Sequence, residues 1–237
     1  MTSMPWNADR IMVFAGPSLA GVELAAPFVR QPPAGAGDLL RWLPHGPCTL
    51  LLIDGVFDTR AAVFHKEILW LLARGFRVIG AASMGALRAA ELDGHGMIGA
   101  GCIYRAYRDG RLTSDAEVAV LHAPAELGGA ALSVALVDVR ATLQAAVRAR
   151  VLTVNDARAC LAAASAIPYR DRAWASLGAA GAFADWLPHG RVGLKAADAL
   201  VGLALARDLA ATPPQPLPEP PRTSFLRNLA VAVGVTL

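Results

Sequence analysis

Three short apolar runs, each closed by glycine, aspartate or serine, constrain the fold of this chain more than any other feature. They are Ile11–Gly16 (IMVFAG, then Pro-Ser), Leu50–Gly55 (LLLIDG) and Arg77–Ser83 (RVIGAAS, then Met-Gly). Continuous apolar runs of this length suit strands covered on both faces, as in a parallel sheet. Between the second and third runs, Thr59–Arg74 places Phe64, Ile68, Leu71 and Leu72 on one helical face, with Gly75 as its C-cap. This pattern predicts a βαβ unit with a right-handed crossover. After Ser83, Met84–Asp93 reads as a further helix, ended by Gly94.

Beyond Gly110 the character changes. Ala131–Arg150, Thr153–Ala166, Arg170–Trp186 and Gly193–Ala210 are alanine-rich with helical periodicity, separated by Asn155-Asp156, Pro168 and Pro188-His189-Gly190. Thr153 has the character of an N-cap, with Asp156 three residues on. Thr212–Pro221 (TPPQPLPEPP) predicts an extended polyproline II linker, and Thr223–Leu237 is either a docking element or a frayed end. The expected class is α/β: an N-terminal, Rossmann-like parallel sheet flanked by helices, with an alanine-rich helical C-terminal half. The expected divisions are 1–130 for the α/β core, 131–210 for a helical subdomain and 211–237 for linker and tail.

Composition excludes several classes. The 237 residues carry a net charge of only +3, with arginines dispersed and aromatics few, so no nucleic-acid partner is expected. Cys48, Cys102 and Cys160 form no CxxC or Cys/His pattern, which argues against a disulfide framework or a metal centre. No Walker loop or GxGxxG is present, and no cofactor is expected. Met1–Arg10 lacks a signal pattern and no apolar stretch is long enough to span a membrane, so a cytoplasmic protein is expected. The basic residues are almost all arginine; Lys66 and Lys195 are the two lysines of the chain.

In open parallel sheets the ligand site lies beyond the carboxyl ends of the strands. Gly16-Pro17-Ser18, Asp54-Gly55 and Ser83-Met84-Gly85 should therefore converge. Ser83, between a strand and a helix start with small neighbours, fits the nucleophile elbow, although Ala81 stands where its first glycine belongs. The same turn also serves a plain N-cap serine. A nucleophile needs a base, and His65 and Lys66 sit near the start of the preceding helix. Adjacent helical residues diverge by about 100°, so the two cannot readily face one atom. Solvent-facing roles fit both equally well. Arg88 and Glu91, one turn apart, make an intrahelical pair or orient a substrate or partner. Asp54-Gly55 binds a hydroxyl, orients His65 or simply turns the chain.

Taken together, Val13–Ser18 (VFAGPS), Ile53–Phe57 (IDGVF), Phe64–Leu69 (FHKEIL), Gly80–Glu91 (GAASMGALRAAE), Gly96–Gly99 (GMIG), Ile103–Tyr107 (IYRAY) and Asp115–Ala119 (DAEVA) resemble the TfuA-like proteins. The resemblance implies partnership with a YcaO enzyme in peptide backbone thioamidation, within the biosynthesis of ribosomal peptide natural products. It also implies binding of a ubiquitin-like sulfur carrier, whose C-terminal thiocarboxylate is hydrolysed to release sulfide. A precursor peptide is a further possible partner. On that reading Ser83 attacks the acyl carbon, and Lys66 or His65 takes its proton. The Met84 and Gly85 amides receive the oxyanion, while Gly16, Gly55, Gly80 and Gly85 leave room for a narrow tail. The alternative is a non-catalytic adaptor that activates a YcaO enzyme or recruits its substrate.

Overall fold

The computed structural model describes residues 4–56, 60–124 and 127–237. Its centre is a parallel sheet of five strands, β1 (Asn7–Phe14), β2 (Phe28–Gln31), β3 (Cys48–Leu52), β4 (Arg77–Ala81) and β5 (Ile98–Ala100), in the order β2-β1-β3-β4-β5. The three expected strands are its centre. The two at the edges have no apolar run to announce them: β2 buries only Phe28 and exposes Val29 and Arg30, and β5 is three residues long.

Alternate residues of each strand face opposite sides. On one side Met12, Phe14, Leu50, Leu52 and Val78 pack with Ile68, Leu71 and Leu72 of α1 (His65–Ala73) and Ala86 and Ala89 of α2 (Met84–Glu91). Ile103, Tyr104 and Tyr107 of α3 (Gly101–Arg108) complete that layer. On the other side Ile11, Val13, Leu51, Ile79 and Ala81 meet Ala199, Leu203 and Ala206 of α7 (Leu194–Leu209). Residues from the far end of the alanine-rich half thus cover one face of the sheet. Gly202 of α7 makes the approach close, since a Cβ there would lie 2.8 Å from the Ala81 Cβ.

The other helices form a separate cluster in which α4 (Leu136–Arg148), α5 (Val154–Ala166) and α6 (Gly181–Gly190) share Leu143, Ala146, Ala164, Phe183 and Leu187. Arg172 is buried there, and its guanidinium donates to the carbonyls of Val134, Ala164 and Ile167. Thr153 caps α5 as expected, accepting from the Asp156 amide at 3.2 Å. The expected helix Arg170–Trp186 is instead a 3-10 turn at Trp174–Leu177 followed by α6, because Gly178 adopts a left-handed conformation. Pro188 does not divide helices as expected but lies in the last turn of α6. The C-terminal tail docks: α8 (Ser224–Ala232) buries Leu226 and Ala230 against Leu40 and Trp70.

Thr59, the first residue of the expected crossover helix, lies outside the described residues, and α1 begins later, at His65. Glu67 fixes that start. Its carboxylate accepts from the Phe64 amide at 2.8 Å and from the Gly37 amide at 3.0 Å. Burial pushes the Glu67 carboxyl up to about 7, against the lowering effect of those amides. A raised acid in the folded state binds a proton that the unfolded chain has already lost. Its contribution to stability therefore falls as pH rises from about 4.3 to about 7, by on the order of 3–4 kcal/mol. Glu67→Gln keeps an acceptor for both amides without the charge. Thermal unfolding at pH 5 and pH 8 is expected to show the variant gaining on the parent at the higher pH; an equal offset at both would refute the assignment.

Candidate active site

The carboxyl ends of β1, β3 and β4 meet beneath a cavity of about 300 Å³ whose lining includes Asp54, Gly55, Ser83, Val118, His122 and Lys195. The strand order reverses direction between β1 and β3, where ligand sites form in folds of this type. Tyr169 and Arg170 close the cavity from the helical half.

Ser83 reaches it through a strained turn. β4 ends at Ala81, Ala82 has a φ of 63°, and the Ser83 amide donates back to the Ala81 carbonyl at 2.9 Å. This is a γ-turn with a non-glycine residue in the left-handed region, which costs about 1–2 kcal/mol. Such strain clusters where a side chain must be held in a set place. Ser83 then stands at the N-cap of α2, yet its side chain makes no capping hydrogen bond. The hydroxyl instead donates, at the long distance of 3.5 Å, to the Val118 carbonyl. The turn is tight enough that Gly85 presses on β3: its amide donates to the Ile53 carbonyl at 3.1 Å. The amide expected to receive an oxyanion is therefore committed to the scaffold. Met84, beside it, has no acceptor for its amide among the described residues.

Lys195 approaches Ser83 from the opposite layer. It lies in the first turn of α7, is buried, and donates to the same Val118 carbonyl at 2.7 Å. Burial pushes its ammonium down from the ordinary lysine range, against the upward pull of Asp54 and Asp138. The positive end of α7 acts in the same direction as burial. A lysine so placed gives up its proton more readily than an exposed one, which suits it to act as a base. His122 also faces the cavity; its Nδ1 donates to the Ala123 carbonyl at 2.9 Å.

Asp54 is buried between these groups and the end of β1. Its Oδ2 accepts from the Gly16 and Ser18 amides, each at 2.9 Å, and its Oδ1 from the Ser18 hydroxyl at 2.7 Å. Gly16 and Ser18 thus serve the site by holding a carboxylate. The remaining expected residues lie elsewhere. His65 Nε2 is 2.8 Å from Glu91 Oε2, the same oxygen that Arg88 engages, and Arg88 donates its Nε to the Val63 carbonyl at 2.6 Å. This partly exposed trio does not line the cavity, and neither does Lys66, a half-buried residue without an ion pair among the described residues. The lysine that the fold brings to Ser83 is Lys195.

Among the described residues, no group of three or more histidine, cysteine, aspartate or glutamate side chains could hold a metal ion. Nor is any helix among them long and apolar enough to cross a membrane.

No curated protein matches the sequence significantly. The family model for the TfuA-like protein matches residues 54–173, which include Asp54, Ser83, Val118 and His122 but end before Lys195. That span is just over half of the 237 residues, and the chain belongs to the TfuA-like family.

Proposed function

We propose that this protein is the sulfur-releasing partner of a YcaO enzyme in peptide thioamidation. Ser83 would hydrolyse the C-terminal thiocarboxylate of a ubiquitin-like carrier, with Lys195 as its base. The observation that carries this reading is the meeting of the Ser83 hydroxyl and the Lys195 ammonium at one oxygen, that of Val118, inside one cavity. Family membership supplies the biological setting.

The reaction balances without a cofactor. Neutral Lys195 takes the Ser83 proton as Oγ attacks the thiocarboxylate carbon. The tetrahedral intermediate collapses as the Lys195 ammonium returns that proton to the departing sulfur: the C–S bond breaks, hydrosulfide leaves, Lys195 is neutral again, and an acyl ester remains on Ser83. Water, deprotonated by the same lysine, cleaves that ester to a carboxylate and restores the serine. The net change is thiocarboxylic acid plus water to carboxylic acid plus hydrogen sulfide. The Met84 amide, with the Gly55 amide at the cavity wall, would receive the oxyanion; neither has another acceptor among the described residues.

The decisive measurement is sulfide release from a thiocarboxylated carrier, followed alongside thioamide formation with the cognate YcaO enzyme. Ser83→Ala is expected to lower sulfide release by at least a hundredfold, and added sulfide should then restore thioamidation. Full thioamidation by Ser83→Ala without added sulfide would instead favour the non-catalytic adaptor.

A further inference from the structure

Asp54 is a buried carboxylate that the proposed steps do not use. It is 2% exposed, and three donors from the segment after β1 grip it: two amides on Oδ2 and the Ser18 hydroxyl on Oδ1. Two backbone N–H groups and a buried hydroxyl thus satisfy both of its oxygens. Oδ1 is also the oxygen nearest Lys195, at 3.9 Å from Nζ, with both side chains almost wholly buried. This separation is too long for a hydrogen bond and short enough for strong attraction in a poorly screened interior.

We propose that Asp54 is a positioning residue that sets the pH at which Lys195 can accept the Ser83 proton, and that Ser18 tempers its pull. The inference rests on the Ser83–Lys195 reading above. Its physical content is a graded counter-charge. Without Asp54 the buried ammonium would lose most of the nearby negative charge and shed its proton at lower pH. With Asp54 ungripped, the ammonium would be held more tightly. The Ser18 hydroxyl donates to Oδ1 and thereby draws charge away from the oxygen that faces the lysine.

The other charges around Lys195 do not duplicate this role. Asp138 of α4 accepts the Lys195 backbone amide at 3.0 Å and adds a weaker pull. Asp198, one turn along α7, is engaged by the Cys102 and Ile103 amides. Glu117, beside Val118, is held by both arms of Arg140. His122 and Arg170 also line the cavity.

The test is the pH dependence of Ser83 labelling by a small fluorophosphonate, followed by intact-protein mass, in the full-length protein. This readout needs no carrier and no YcaO enzyme. In the parent, the labelling rate should rise with pH through one titration. Asp54→Asn is expected to move that titration down by one pH unit or more, and Ser18→Ala to move it up by about half a unit. The opposite signs separate a counter-charge from a structural prop, which would lower both rates without moving either titration. Unmoved titrations in both variants, or shifts of the same sign, overturn the inference while leaving the nucleophile intact. No labelling of the parent at Ser83 overturns the nucleophile and this inference with it. If Asp54→Asn does not fold, the upward shift in Ser18→Ala alone decides.

Discussion

Lys195→Met is expected to lower Ser83-dependent hydrolysis by about 10²–10⁴-fold, the range for loss of a general base. Methionine keeps the length and apolar bulk of the lysine stem, so the packing of α7 on the sheet should survive. The matched variant is Lys66→Met. Lys66 does not line the cavity, and its replacement should leave the rate within about twofold, since surface charge changes are typically small in effect. Rates of sulfide release and fluorophosphonate labelling, measured on both proteins, should fall together in the first and in neither for the second. Equal losses in the two variants would remove Lys195 from the mechanism.

The largest effect on stability is expected from Gly85→Ala. A Cβ at Gly85 would lie 1.8 Å from the Leu52 carbonyl oxygen and 2.6 Å from its carbon. Both are backbone atoms of a central strand, so no flexible side chain can swing aside. Forced overpacking costs 1–3 kcal/mol and sometimes more; here roughly 3 kcal/mol or more is expected. For a chain of this size that is a fall in Tm of roughly 10 °C. Gly94→Ala is the control. Gly94 has a positive φ, which Gly85 does not, but a Cβ there meets no atom within 4 Å, so only backbone strain of about 1 kcal/mol should appear. Thermal unfolding distinguishes them. If Gly85→Ala folds at all, it should also lose Ser83 labelling, because α2 must lift from β3 to admit the methyl.

Much of the site was legible in the sequence because its parts are local. A strand, a small-residue turn and a helix follow one another within Arg77–Glu91, so Ser83 could be placed by pattern alone. Asp54 and Ser18 sit at strand ends for the same reason. The proposed base was not legible by spacing, since Lys66 is near Ser83 in the chain, whereas Lys195 meets it only in space, at the Val118 carbonyl. One local signal did exist. Lys195 occupies the first turn of a helix, where the dipole disfavours a cation, in a chain almost empty of lysine. A cation retained in such a place has a reason beyond helix formation. The edge strands were hidden for another reason: β2 faces solvent and β5 is too short to carry a period. The late start of α1 depends on Glu67 reaching Gly37, a contact no linear pattern announces.

The delivery of Lys195 by α7 has a consequence for the life of the chain. The proposed nucleophile is synthesised early and its proposed base late, and the helix that carries Lys195 is also the one that seals the second face of the sheet. A chain still on the ribosome, or one cut before α7, would hold Ser83 without a partner to deprotonate it. On the proposed mechanism, hydrolytic competence would thereby be tied to completion of the fold, and unfinished or broken copies would be unable to squander activated sulfur.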